Sequence, residues 1–382
     1  MNKIFNYFMV IALVSVLLEG CSNKSALVDG HKVATEKKVL FSTALGPNTK
    51  TWYSGKIEGG VERIDWQIDD RIQIASDECQ GTQNSVYQII KVKTTGQKSY
   101  ATIDNYPNTI NGLQWGEGMH HFYALYPSGE SSADATKVKL ETTKSGTANT
   151  GCVVSAFLPE QQILTPVNDT LRPNMKYAYM FASKATTKVS SVELSFKPIV
   201  TAFRFAVSTT EKVTLNSFTL SSETCALVGD FKGTVANDND NISKMVFEVP
   251  QKSETNNSVT INLGGVVLNP APAENSELVF TLFTLPASRV AGKEDKLTEL
   301  TLTFDLYDKD GGRLLKILTL KRAGESGNLE FSGGKKYNIS GLKLPAPNLY
   351  PINISEIVVG ELDSTNSDAS FGDIIVEDLD KE

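Results

Sequence analysis

Few residues in this 382-residue chain are of types and spacings that do chemistry. Histidine occurs at His31, His120 and His121. Neighbours on a strand point to opposite faces, so the adjacent pair is a poor metal site and reads as one packed ring and one solvated ring. His31 lies in polar sequence and reads as solvated. Beyond Cys21 the cysteines are Cys79, Cys152 and Cys225, odd in number, far apart and without a C-x-x-C pair. That pattern argues against a disulfide framework and against zinc, and the three read as small buried residues, with a single bridge left open. Residues 305–311 and 237–241 gather the oxygen ligands that calcium takes. Counted from Asp308 the fifth position is Gly312, and from Asp238 it is Ile242, so neither has EF-hand spacing. Both fall where hairpin turns favour Asp, Asn and Gly. No H-E-x-x-H, P-loop, G-x-S-x-G or G-x-G-x-x-G is present, and nothing promotes a serine as nucleophile. The expectation is a protein that is not an enzyme and uses no cofactor and no metal. Exposed indoles could still stack on sugars. Trp66 has period-two apolar neighbours and reads as core, while Trp52 and Trp115 stay open.

One cysteine does have a chemical context. Lys3 precedes an apolar run over residues 4–18, closed by Leu18-Glu19-Gly20-Cys21. This is the anatomy of a signal peptide, too short and wrongly flanked for a transmembrane helix. A small residue before a cysteine, with Leu three positions before it, resembles the lipobox of bacterial lipoproteins. Residues 1–20 are then removed, and Cys21 becomes the lipidated first residue and the link to an outer membrane. Residues 21–38 read as a flexible tether. The net charge of −7, with no basic cluster, disfavours nucleic acid as a partner.

The rest of the chain must supply the scaffold. With 40% hydrophobic and 21% charged residues it is globular, and its length suggests two domains. Residues 39–45 form a first strand, apolar and then mixed, which suits an edge or inserted position. Ile64, Trp66 and Ile68, then Ile72 and Ile74, alternate with polar residues around Asp69-Asp70. Similar alternation is read at residues 86–90 and 121–127. A polar stretch over 182–191 divides the chain. Beyond it Val192, Leu194 and Phe196 share one face, and Phe203, Phe205 and Val207 share another, with Lys197-Pro198 between. Val259, Ile261 and Leu263 alternate, as do Leu278, Phe280 and Leu282. The clearest hairpin spans 300–320, with Leu300, Leu302, Phe304 and Leu306 on one face and residues 308–312 as the turn. No long run has helical spacing. The fold class is therefore all-β, with an N-terminal β-sandwich domain over 39–187 and a C-terminal one over 188–344. The extension 345–382 opens with a proline-rich spacer, then carries two β-prone pieces, 352–359 and 371–376. A disordered tail gains nothing from alternating Ile and Val, so these read as strands that need a partner.

In order along the chain, several of these motifs together resemble the fimbrillin family of major and minor pilins of Bacteroidales, the FimA-like and Mfa-like proteins. They are the lipoprotein leader, the strand at 39–45, Thr49-Lys50-Thr51, and Ile64-Asp65-Trp66-Gln67-Ile68-Asp69-Asp70-Arg71-Ile72. Phe122-Tyr123-Ala124-Leu125-Tyr126-Pro127 and Leu158-Pro159-Glu160-Gln161-Gln162 follow, then residues 194–205 and Leu227-Val228-Gly229. The resemblance implies two β-sandwiches of transthyretin-like topology, and export as a lipoprotein to the cell surface. It also implies assembly with other copies or related pilins by strand exchange, after a trypsin-like protease removes the first strand. Carried onto this chain, the removable strand is marked by Val39, Leu40, Phe41 and Leu45. Relatives usually have Arg in the Thr-x-Thr context that holds Lys50 here, and the first Arg of the mature chain is Arg63. Lys50 and Arg63 are therefore the candidate processing positions. The candidate donor strand is marked by Ile352, Ile354, Ile357, Val358 and Val359. A monomeric surface lipoprotein binding glycans or host proteins is the competing expectation. It predicts exposed Trp52 and Trp115 on one patch, and a tail packed on its own domain.

Overall fold

The computed structural model describes residues 37–47, 57–58, 61–62, 65–95, 98–107, 112–167, 170–237, 245–273, 276–285, 300–322, 335–344, 349–357 and 374–378. The first half carries β1 (Phe41–Pro47), β2 (Ile57–Glu58), β3 (Val61–Glu62), β4 (Arg71–Ala75), β5 (Asn84–Thr95), β6 (Lys98–Tyr106), β7 (His120–Tyr126), β8 (Lys139–Ser145) and β9 (Ala148–Leu158). Five short strands follow β9 and a sixth closes the set: β10 (Gln161–Gln162), β11 (Leu164–Val167), β12 (Thr170–Pro173), β13 (Met180–Thr186), β14 (Val192–Ser195) and β15 (Lys197–Pro198). The second half has β16 (Thr201–Thr209), β17 (Val213–Ser221), β18 (Gly229–Ala236), β19 (Val246–Glu248), β20 (Ser258–Leu268), β21 (Glu277–Thr284), β22 (Leu300–Tyr307), β23 (Arg313–Arg322) and β24 (Lys336–Leu344). The tail adds β25 (Leu349–Ile357) and β26 (Ile374–Asp378). The all-β expectation holds.

In the first half eight strands pair in the order β14-β1-β6-β5-β4-β7-β13-β15, and the sheet curls until β14 lies back beside β13. Its concave face holds Val39, Phe41, Trp66, Ile72, Ile74, Tyr87, Phe122, Leu194 and Phe196, all buried. The alternating residues of β7 and β13, Tyr123, Leu125 and Phe181, face a second core that runs on into the other half. β7 is thus covered on both faces, so the alternation read at 121–127 is absent. Ile68 also departs from expectation. It is 61% exposed because the chain turns at Asp69, whose φ is +76°, and the strand starts only at Arg71.

In the second half Phe203, Phe205, Val207, Phe218, Phe280 and Phe304 meet in one aromatic core, with Phe205 and Phe218 centroids 4.8 Å apart. The predicted hairpin is β22–β23, paired Leu300↔Leu320 to Tyr307↔Arg313. Its turn is closed by the Asp308 carboxylate, which accepts from the backbone N–H of Asp310 and Gly312, while Gly311 supplies φ +85°. That carboxylate is occupied by turn geometry. The second acidic stretch runs into residues 238–244, outside the described residues.

The halves are knitted together. β8 and β9 pair with β18 and β19 in one four-stranded sheet, so strands from both halves share a ladder from Gly229↔Leu158 to Ala236↔Gly151. Gly151 has φ +140°, and a Cβ there would stand 2.0 Å from the Val235 carbonyl oxygen. The boundary drawn at 187/188 also moves. β14 pairs with β1 and β15 with β13, so residues 192–198 complete the first sheet, and the polar segment from Ala182 to Thr186 is strand.

Gln162 seals a seam between the layers. β10 pairs with β20, while the Gln162 carboxamide bonds both backbone groups of Phe283 on β21: it donates to the carbonyl at 2.6 Å and accepts from the N–H at 2.9 Å. The side chain thus replaces a rung of ladder at the edge of β21. Gln162→Leu would leave a buried N–H and C=O unsatisfied. It is expected to cost about 2–4 kcal/mol, read as a lower urea midpoint with an unchanged slope.

Candidate assembly site

The first strand is an insert. β1 lies between β14, parallel to it over Phe41↔Val192 to Ala44↔Ser195, and β6, antiparallel over Ser42↔Thr102 to Pro47↔Lys98. Val39, Phe41 and Thr43 point inward and are buried, while Leu40 is half exposed. The Phe41 ring meets Tyr87 and Phe122 edge-on, at centroid distances of 5.1 and 5.2 Å. The side chain of Leu45 lies outside the described residues. Burying Val39 and Phe41 contributes about 3–6 kcal/mol before ordering costs. Removing β1 would open a slot one strand wide, with unpaired backbone on both walls.

The approach to β1 is clamped. Val39 N–H donates to the Leu113 carbonyl at 2.9 Å, and Trp115 N–H to the Lys37 carbonyl at 2.7 Å. Lys38 Nζ bonds Asp104 at 2.7 Å and holds that carboxyl below the usual carboxylate range. A depressed folded value means that this contact contributes above the ordinary carboxylate pKa and is lost as pH falls through the depressed one. Both side chains are well exposed, so screening keeps the effect small. The clamping loop is held in turn by His120. Its Nε2 accepts from Gly116 N–H at 2.9 Å, its Nδ1 faces the Gly118 carbonyl at 3.2 Å, and its ring stacks on Phe122. His121 points the other way, to Glu78 at 2.8 Å, and is partly shielded. Sequence reasoning missed this clamp, because nothing local ties residues 37–39 to 113–115.

The tail is packed on its own domain. β25 crosses between two layers: residues 353–357 pair with β24 and residues 349–352 with β26, which in turn pairs with β23. Together the two strands fill the gap between β23 and β24 in the order β23-β26-β25-β24. Ile352, Ile354 and Ile357 lie on β25, opposite Ile374, Ile339 and Lys336; Val358 and Val359 lie outside the described residues. So do Cys21, Lys50, Trp52, Arg63 and the leader. Trp115 is 5% exposed and Trp66 fully buried, so the glycan platform loses one of its two open indoles.

Cys79, Cys152 and Cys225 all remain thiols. Burial pushes Cys79 up to about 11 and Cys152 further still. Native chain treated with a thiol reagent at pH 8 should therefore be modified at Cys225, which is only half-buried, with Cys79 and Cys152 reacting only after denaturation. Peptide mapping by mass spectrometry reads this directly.

The two sites sit at opposite poles. β14 runs through β15 into β16, so the start of β1, beside Val192, is at the end of the first half remote from the second. β24 runs parallel to β16, from Ala202↔Lys336 to Thr209↔Leu344, so the chain leaves Leu344 at the far end of the second half.

No family model matches the sequence, and no curated protein does. Solved structures do align over most of the chain. Bacteroidales cell-adhesion and fimbrial proteins are its structural neighbours. A candidate cell adhesion protein from Bacteroides ovatus aligns at 14% identity over 85% of this chain and 98% of its own, with a TM-score of 0.46. A fimbrial assembly protein from Parabacteroides distasonis aligns at 11% over 83% and 99%, TM-score 0.34. The tip fimbrial protein Mfa3 from Porphyromonas gingivalis, with C-terminal truncation, aligns at 9% over 84% and 100%, TM-score 0.34.

Proposed function

We propose that the chain is a structural pilin subunit of cell-surface fimbriae with no enzymatic role. It is exported as a lipoprotein held to the outer membrane through Cys21, and polymerised by strand exchange in support of adhesion. The observation that carries this reading is the placement of β1. A strand next to the chain's processed end fills a one-strand slot inside its sheet, at the pole opposite to the one where the chain leaves β24. Cleavage by a trypsin-like protease, at Lys50 or Arg63, severs β1 from the fold and lets it be displaced. The tail of a neighbour, arriving from its far pole, then enters in the direction of β1, parallel to β14 and antiparallel to β6. Three or four aliphatic side chains of the segment carrying Ile352, Ile354, Ile357, Val358 and Val359 would bury about 5–12 kcal/mol of apolar contact before ordering costs. The donor must first give up its own pairing to β24, so exchange trades ladder for ladder, and loss of β1 sets the direction. A head-to-tail contact of this kind does not close, and a filament grows.

The docked tail also suits the competing reading, a monomeric surface lipoprotein that binds glycans or host proteins, but the burial of Trp115 counts against its platform. Intact mass and N-terminal sequencing of the protein from its native envelope separates the two. A mature chain beginning at Thr51, Ile64 or nearby, with SDS-resistant ladders, supports the pilin. A chain beginning at lipidated Cys21, with no ladder, removes strand exchange.

A further inference from the structure

Resting on that assembly reading, we propose that two parallel strand pairs carry axial tension along the fibre in shear: β14 with the occupant of the β1 slot, and β16 with β24. The described ladders are antiparallel except at β1–β14, β10–β20 and β16–β24. Two of these three stand where a head-to-tail fibre is pulled. In the second half, tension enters at the start of β16, joined through Lys197-Pro198 to the first sheet, and leaves from the end of β24 at Leu344. Parallel neighbours pulled at opposite ends slide past each other. Their slanted bonds, over seven paired positions in two runs, Ala202↔Lys336 to Phe205↔Ile339 and, past a register shift, Val207↔Leu342 to Thr209↔Leu344, then bear the load side by side rather than one after another. An antiparallel pair pulled from the same two chain ends would be gripped at one end and would peel one rung at a time.

The first half repeats the arrangement. A donor in the β1 slot is pulled back toward its own start, at the remote pole. β14 is pulled toward its end, into β15 and β16. The partners are again parallel and again loaded at opposite ends. Side-chain contacts reinforce the second pair: Arg204 donates to Asn338 at 2.7 Å, and Ser208 Oγ to the Leu342 carbonyl at 3.1 Å. Among the described residues the two pairs are tied together, since β9 and β18 share a ladder and one core spans the junction.

Single-molecule pulling on the uncleaved chain from residue 21 onward tests this, with Cys21→Ser and Cys225→Ser to remove competing thiols. One variant takes handles at Ser195→Cys, exposed at the end of β14 where the chain leads through β15 into β16, and Ala346→Cys, just beyond β24. The other takes handles at Ser195→Cys and Lys335→Cys, so that β24 is gripped at its near end. Both are first checked for native tryptophan emission. The first axis is expected to rupture at roughly two- to fivefold higher force at the same loading rate, since rungs fail together rather than in turn. Equal forces, or the reverse order, overturn the proposal. The measurement uses single subunits, so anisotropy in a protein that makes no ladder in its envelope would sink the assembly reading and leave the shear geometry standing.

Discussion

Phe41→Ala is expected to lower the stability of the uncleaved subunit by about 3–5 kcal/mol and, after cleavage, to quicken the loss of β1. Phe41 is 4% exposed, with Tyr87 and Phe122 edge-on to its ring, and truncation leaves a cavity between residues that cannot follow it inward. Each aromatic contact adds about 0.5–1.5 kcal/mol to the area term. The informative comparison is Phe205→Ala. Phe205 is fully buried, with Phe218 and Phe280 at 4.8 and 5.5 Å, and should cost about as much. It sits on β16, which is not exchanged. Chemical denaturation should show both variants weakened, while the rate of SDS-resistant ladder formation should rise for Phe41→Ala alone. If both variants change ladder formation equally, global stability is being read and the β1 slot is not the exchange site.

Much of the fold was legible because the inward faces of a two-layer β-protein alternate. Leu300, Leu302, Phe304 and Leu306 are all buried and alternate with half-buried or exposed residues, because β22 has one core face; Phe203, Phe205 and Val207 are buried as read, although Ala202 and Ala206 on the other face of β16 are buried too. The pattern misled where that premise fails. β7 has a core on either side, so Phe122 and Tyr123 are both buried although they point apart. Ile68 continues a period-two series on paper, but the series stops meaning anything once Asp69 takes a left-handed φ. The boundary at 187/188 was placed by polarity. A strand such as β13 can carry Lys184 and Thr186 and still pair along its whole length with β7.

The site was legible in type and not in partners. An apolar first strand turning mixed suits an edge or an inserted position, and β1 is inserted, between β14 and β6. Its neighbours come from residues 98–106 and 192–195, and long-range pairing leaves no local trace. The same holds for the tail. Alternating Ile and Val announced strands in want of a partner, but only the fold puts β25 and β26 between β23 and β24. Gln162 belonged to a recognisable motif, yet its two bonds to Phe283 join positions that nothing in the sequence relates.

Covalent closure of the slot gives the sharpest expected result. Ser42 and Thr102 are register partners across β1 and β6, both lie on the outer face, and neither packs into the core. Directly opposed strand residues have Cα atoms about 4.5–5.5 Å apart, within disulfide range. Ser42→Cys with Thr102→Cys should therefore oxidise without moving the backbone and tie β1 to its wall. Processing at Lys50 or Arg63 would still cut the chain, so the N-terminal fragment would stay attached by its disulfide. No slot would open. Ladders on non-reducing gels should disappear for the oxidised double variant, return when a reductant is added during assembly, and persist for each single cysteine variant. Displacing β1 is then a required step, because the cut is made and the fold is intact while only the exit of one strand is blocked. Ladders formed at native yield by the oxidised double variant would mean that subunits join by a surface other than this slot. In that case the clamp made by residues 113–115 and Lys38 would be there to keep β1 in place permanently.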